Sequence, residues 1–323
     1  MEKILVTRRI PQKFLERLEA LGEVEMWDHE LTPMPREQFV EAAKDKTALL
    51  VTLSERIDAT LFEAAPKLKV VANMAVGYDN IDLQIAEQSH VQVANTPGVL
   101  TETTAELGFA LMMATSRRIV EAEKYVQQGQ WESWGPYLLA GKDIYQSKVG
   151  IFGMGEIGRA FARRLKGFNA DILYHNRSRN MKAEHELGAF YTSFDTLIKE
   201  SDFVICTAPS TPETQNTFNK EVFKNMRNDA IFINIGRGDL VVEEDLVEAI
   251  ENGEIAGCGL DVVRDEPIRT DHPLLKYPNV VVTPHIGSAS VLTRDQMIQT
   301  CILNIEDVAQ GLLARNQVVT NTH

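Results

Sequence analysis

Short, fully apolar runs alternate along this chain with longer stretches in which apolar residues recur every three or four positions. From the start, Lys3 to Thr7 (KILVT) predicts a buried strand, Gln12 to Leu21 a helix, Val24 to Trp27 a strand and Arg36 to Lys44 a helix. Ala48 to Leu53 (ALLVTL) predicts a further strand, Ala59 to Ala65 a helix stopped by Pro66, and Leu68 to Ala72 (LKVVA) a strand again. Strands that alternate with helices predict an α/β unit with a parallel sheet. Its most distinctive turn, Ala75-Val76-Gly77, follows a strand and exposes backbone N–H groups that either hold an anion or simply form a strand-end loop.

A second run of the same alternation begins further on. Val149 to Phe152, Asp171 to Tyr174, Phe203 to Thr207, Ala230 to Ile235, Gly257 to Val262 and Val280 to Thr283 read as six strands, with Val242 to Asn252 the clearest helix among them. Between the two runs, Thr103 with Glu106 three residues later fits a capping box, which predicts one helix from Ala105 to Tyr125. The following loop carries Trp131, Trp134 and Tyr137, aromatics that predict either a subunit interface or pocket wall, or packing within the chain. The last apolar stretch, Val291 to Ala314, is one amphipathic helix without a sheet of its own. The expected organisation is therefore a first domain over 1–95, a dinucleotide-binding domain over 96–286, and a segment 287–323 that returns to the first domain and makes it discontinuous.

The segment KVGIFGMGEIG joins strand to helix through Gly153, Gly155 and Gly158. In such a turn the first glycine permits the bend, the second lets backbone approach a pyrophosphate and the third brings helix close to strand. Free N–H groups at the helix start then attract the phosphates. Bare Gly-X-Gly-X-X-Gly is a weak signal, but a strand before it and a helix after it raise its specificity.

Composition narrows the function classes. At 323 residues and 44% hydrophobic content the chain has room for two cores. Its net charge of -13 disfavours nucleic acid and anionic membranes as partners. Cys206, Cys258 and Cys301 lie far apart, which disfavours a disulfide framework or a zinc site. The N-terminus lacks the apolar core of a signal peptide and no apolar run nears the roughly 18 residues of a membrane span, so a cytoplasmic location is expected.

In an open parallel sheet ligands bind beyond the carboxyl ends of the strands. Three ionisable residues sit there in succession: Arg237 in NIGRGD, Glu266 in VRDEP and His285 in TPHIGS. A nicotinamide delivers hydride without the accompanying proton, so carbonyl reduction needs an acid, and histidine suits both directions. A carboxylate on its other nitrogen fixes the ring, and an arginine clamps a carboxylate at two points. Together they describe a 2-oxo acid reductase.

GIFGMGEIG, NIGRGD, GLDVVRDEP and TPHIGSAS resemble the motif blocks of the D-isomer-specific 2-hydroxyacid dehydrogenases. NMAVGYDNID, NTPGVLTETTAELGFAL and WESWGPYLLAG resemble the glyoxylate and hydroxypyruvate reductase branch. The resemblance covers nearly the whole chain. It implies two doubly wound parallel-sheet domains, a Rossmann cofactor domain inserted into a flavodoxin-like substrate domain, and a homodimer formed by the cofactor domain and the arm around Tyr125 to Tyr145. By motif, Arg237 binds and polarises the 2-oxo acid, His285 is the acid and Glu266 orients it. Val76 and Gly77 offer N–H groups to the substrate carboxylate, Leu53 and Ser288 adjoin the substrate, and Asp261 faces the nicotinamide carboxamide. Gly153, Met154, Gly155, Glu156, Ile157, Gly158, Asn176, Arg177, Ser178, Pro209, Ile235 and Gly287 are the other expected cofactor contacts. Leu138 stands where some relatives carry an aromatic that reaches into the partner's active site.

The cofactor is expected to be NADP rather than NAD. The acid that would bond a ribose 2′-OH belongs at the end of the second strand, where this chain has His175 and Asn176 followed by Arg177, Ser178 and Arg179. Arg177 and Ser178 suit a 2′-phosphate. A formate dehydrogenase is disfavoured, because the resemblance places glutamine there in place of Glu266. The alternative function class is a dinucleotide-sensing corepressor-like binding protein, for which this chain shows no partner-recruiting tails.

Overall fold

The structure, a computed structural model, describes residues 1–318, so residues 319–323 of the expected returning segment lie outside it. It comprises two compact units: residues 1–100 together with the chain from Ser290 onward, and Thr101–Ala289.

In the first unit β1 (Glu2–Val6), β2 (Gly22–Met26), β3 (Ala48–Val51), β4 (Val70–Asn73) and β5 (Gln92–Ala94) form a parallel sheet of order β2-β1-β3-β4-β5. This is the flavodoxin-like order. Successive side chains leave a strand on opposite faces, so both faces of a fully buried sheet must be covered. Ile4, Val6, Leu50 and Ala72 pack with Ile298, Ile302 and Ile305 of the helix Val291–Ala309, while Leu5, Leu49, Val51 and Val71 pack with Phe39, Leu61 and Phe62. A bidentate pair from Arg17 to Glu306, at 2.6 and 2.8 Å, and an antiparallel bridge between Ala94 and Gln317 also tie the end of the chain to this sheet. The helix Leu83–Gln88 and the three-residue β5 complete the unit beyond the elements expected from periodicity; both are too short to carry a clear repeat.

The second unit has seven parallel strands, β6 (Lys148–Phe152), β7 (Asp171–His175), β8 (Phe190–Tyr191), β9 (Phe203–Cys206), β10 (Ile231–Asn234), β11 (Gly257–Leu260) and β12 (Val280–Val282), in the order β12-β11-β10-β9-β6-β7-β8. The order reverses between β6 and β9, the Rossmann switch point. The strand beyond the expected six is β8, an exposed two-residue edge paired to Leu173 and Tyr174. Val149, Ile151, Ile205 and Ile233 face Leu111, Met112, Phe161 and Leu165, and Val204, Phe232 and Leu260 face Leu197, Phe223 and Leu246.

The single helix expected over Ala105 to Tyr125 is two, Thr101–Ser116 and Ile119–Gln127. The Ser116 carbonyl accepts the N–H of Lys142 at 2.8 Å, and Arg118 turns left-handed at φ 53° with its guanidinium on Glu121. A long-range partner has taken an acceptor the helix would need to continue. The start also moves: Thr103 lies inside the first turn, not at a cap.

Candidate functional site

The turn after β6 divides its three glycines by the space around them. Gly153 sits at φ 103°, and a side chain there would meet the Ala208 nitrogen at 2.6 Å; one at Gly158 would meet the Gly153 carbonyl oxygen at 2.3 Å. A side chain at Gly155, by contrast, would meet nothing within 4 Å. The helix Glu156–Leu165 starts from Gly155 with no side-chain cap, so its first N–H groups are left to an outside acceptor. Two tight glycines and one open one at a helix start form a cradle that fits a pyrophosphate.

Beside the cradle, β7 ends at His175, whose ring stacks on Phe152 and Tyr191 and whose Nδ1 meets the Thr192 carbonyl at 2.9 Å. Asn176 Oδ1 accepts the Met154 N–H at 2.6 Å and Asn180 Nδ2 donates to the Met154 carbonyl at 2.7 Å. Asn176 thereby braces the glycine turn from behind. Arg177 and Ser178 are exposed, whereas Arg179 is drawn aside onto Glu184. The Arg179 guanidinium, with the Tyr174 hydroxyl second, holds the Glu184 carboxyl down to about 2.

The ends of β10, β11 and β12 hold the other groups. Asn234, fully buried at the end of β10, accepts the Gly236 N–H at 3.0 Å and donates to the Arg237 carbonyl at 2.9 Å, which shapes the loop that presents Arg237. His285 Nδ1 lies 2.7 Å from Glu266 Oε2, and Glu266 Oε1 accepts the Val263 N–H at 3.3 Å. An ionised carboxylate only accepts, so Nδ1 carries the proton of that bond and Nε2 remains the working nitrogen. His285 itself is left-handed at φ 52°. Its N–H donates to the Asp261 carbonyl at 2.9 Å. The Asp261 side chain accepts the Thr283 hydroxyl at 2.6 Å, the Ile286 N–H at 2.9 Å and the Gly287 N–H at 2.8 Å. Burial raises the Asp261 carboxyl above its ordinary value, against the opposing pull of these donors.

Three residues read as cofactor contacts also bond within the chain. Asp261 faces the turn that carries His285, Gly287 gives its N–H to Asp261, and Ile235 is 6% exposed with its N–H on the Cys206 carbonyl. Glu156 is exposed and Ile157 half-buried at the cradle, Ser288 is half-buried just after the His285 turn, and the Pro209 carbonyl accepts the Thr214 hydroxyl at 2.7 Å. In the first unit Leu53 is 39% exposed and Val76 and Gly77 are half-buried. The bracing roles of Asn234, Asn180 and Asp261 were missed by motif reading; for Asn234 the available signal was an asparagine closing an otherwise apolar strand, IFIN.

The three cysteines are buried, and burial pushes the Cys206 thiol up to about 12, which removes it from nucleophilic chemistry. Among the described residues no group of three His, Cys, Asp or Glu is placed to hold a metal, and no helix is long and apolar enough to cross a membrane.

Comparison with known proteins agrees with this geometry. Residues 109–287 match the model of the D-isomer specific 2-hydroxyacid dehydrogenase NAD binding domain. A glyoxylate reductase of Korarchaeum cryptofilum is 45% identical over 98% of this chain and 95% of its own, and one of Pyrococcus furiosus 46% identical over 96% and 93%. Among solved structures, a Thermus thermophilus protein superposes with a TM-score of 0.92 at 40% identity, over 98% of this chain and 100% of its own. An NADPH-dependent glyoxylate/hydroxypyruvate reductase of Sinorhizobium meliloti, solved with NADP and malonate, gives 0.87 at 34% identity, over 98% and 97%. With full-length relatives at this identity and a dinucleotide cradle on the same sheet as an Arg, Glu and His set, the chain belongs to the D-isomer specific 2-hydroxyacid dehydrogenase family.

Proposed function

We propose that this protein reduces a small 2-oxo acid, of the class of glyoxylate, hydroxypyruvate or 2-ketogluconate, to the D-2-hydroxy acid, with NADPH preferred over NADH. The observation that carries the reading is the 2.7 Å pair of His285 and Glu266 at the strand ends of the sheet that also carries Arg237 and the open glycine cradle. The N–H groups that follow Gly155 would hold a reduced nicotinamide cofactor, which would supply hydride for the carbonyl carbon. Arg237 binds the oxo acid and polarises its carbonyl, and the arginine fork suits that task better than a lysine. His285 gives the Nε2 proton to the carbonyl oxygen, and Glu266 stabilises the imidazolium before transfer. The N–H groups of Val76 and Gly77 take the substrate carboxylate.

Exposed Arg177 and Ser178, with no acid at the end of β7, support a 2′-phosphate contact. Trp131, Trp134 and Tyr137, at 61%, 80% and 87% exposure, support a homodimer built over that arm. The test is NADPH and NADH oxidation with a panel of 2-oxo acids, beside light scattering of the protein. Turnover of glyoxylate or hydroxypyruvate with a higher kcat/KM for NADPH is expected; an inactive panel overturns the reading.

A further inference from the structure

The loop after β4 carries three successive backbone carbonyls that are each bonded within the unit. The Ala75 carbonyl accepts the Thr96 N–H at 2.9 Å, the Val76 carbonyl accepts Asn95 Nδ2 at 2.8 Å, and the Gly77 carbonyl accepts Asn73 Nδ2 at 2.9 Å. In a planar trans peptide the N–H points opposite the carbonyl, so each of these bonds also aims the N–H of the next residue. The N–H groups so aimed belong to Val76, Gly77 and Tyr78. Among the described residues they donate to no protein acceptor.

The donors behind them are themselves held. Asn73, fully buried at the end of β4, also donates to Asn80 Oδ1 at 3.3 Å, while its own Oδ1 has no protein partner. A buried acceptor left in that state costs free energy, and the fold keeps the amide turned to Gly77 in spite of it. Asn80 in turn donates to the carbonyls of Thr52 and Glu55, at 3.2 and 2.9 Å. The Glu55 carboxylate, 4% exposed, accepts Arg8 at 2.7 Å and the Thr7 hydroxyl at 2.9 Å, which anchors the frame in the sheet.

We propose that Asn73 and Asn95 are positioning residues for a carboxylate-binding strip made by the N–H groups of Val76, Gly77 and Tyr78. This rests on the 2-oxo acid reductase reading above, and adds to it a third donor and the two amides that aim the strip. Successive aligned N–H groups form an anion-binding concavity, and its strength depends on the alignment. Loss of either amide frees one peptide to rotate without touching the proton donor or the cofactor cradle.

The experiment is steady-state kinetics of the full-length enzyme with NADPH, glyoxylate, and glyoxal as the matched carbonyl without a carboxylate. Asn95 is half-buried, so Asn95→Ala and the same-sized Asn95→Asp, which cannot donate when ionised, are the primary variants, beside Asn73→Ala. The expected result is a rise of about tenfold in the KM for glyoxylate, the size of losing alignment at a charged acceptor. The KM for NADPH and kcat should stay within about threefold, and the preference for glyoxylate over glyoxal should fall by about the same tenfold. An unchanged glyoxylate KM in both Asn95 variants, or equal losses on both substrates, overturns the proposal and leaves the reductase reading standing. A wild-type enzyme inactive on every 2-oxo acid removes that reading, and the proposal with it. If Asn73→Ala does not fold, the Asn95 pair decides.

Discussion

The two sheets of this protein both present groups at their carboxyl edges, but by different means. Behind each edge stands a buried asparagine at the end of an apolar strand, Asn73 after VVA and Asn234 after IFI. In the first unit the asparagine amides bond backbone carbonyls and so point backbone N–H groups. In the second unit the buried polar groups shape loops that present side chains, Arg237 by Asn234 and His285 by Asp261. Backbone donors are fixed in charge and need no protonation state, so they suit recognition of a constant anion. Chemistry that moves a proton needs a side chain whose protonation can change. The comparison predicts that damage to the second unit's edge appears in kcat and damage to the first unit's strip in KM.

The largest test of that division is His285→Ala. Loss of the proton donor is expected to lower kcat about a thousandfold across the pH range, with the KM for the oxo acid within about threefold. A large KM change at near-normal kcat breaks the comparison outright. Arg237→Lys keeps the charge but loses the fork, and should lower kcat/KM about a hundredfold, since a two-point clamp on the oxo acid is gone. Near-normal activity there would move Arg237 out of the site.

Glu266→Gln sharpens the comparison through the geometry of the pair. The amide keeps the size of the side chain but can turn its NH2 to Nδ1, so the ring loses the acceptor that fixes its orientation. kcat for reduction at saturating NADPH is expected to fall about tenfold, with the KM for the oxo acid within about threefold. An unchanged kcat would uncouple the pair. The smallest effect is expected from Arg177→Ala. The ratio of kcat/KM for NADPH over NADH should drop about tenfold through the KM for NADPH, the loss of one charge-assisted contact. Retention of the ratio would assign the preference to other residues.

The strands that face two layers of helices were legible because burial on both sides writes an unbroken apolar run, as in AIFI and FVIC. The glycine turn was legible because the positive φ of Gly153 and the close neighbours of Gly153 and Gly158 restrict those two positions to glycine. What sequence alone did not carry was long-range. The break after Ser116 depends on Lys142, and nothing near residue 117 in the chain announces it. Within the site, Arg237, Glu266 and His285 stood out by charge beside turn residues. Asn73, Asn95 and Asn234 did not, because an asparagine near a strand end is common and only its burial and partners set it apart. Asp261 entered only through the family resemblance, and its engagement with the His285 turn emerged from the donors that converge on it.

The helix Val291–Ala309 has a consequence for how the chain is made. It supplies Ile298, Ile302 and Ile305 to the core over β1, β3 and β4, yet it leaves the ribosome only after the whole of Thr101–Ala289. The N-terminal sheet is thus synthesised first, and of the face that this helix covers only the part under Phe14 and Leu18 has its cover until the inserted unit has been made. Growing chains usually consolidate from the N-terminus, and the closure of so long a loop is slow. A nascent chain halted before Val291 would display the part of the β1, β3 and β4 face that Ile298, Ile302 and Ile305 cover, as a surface for chaperones or for aggregation.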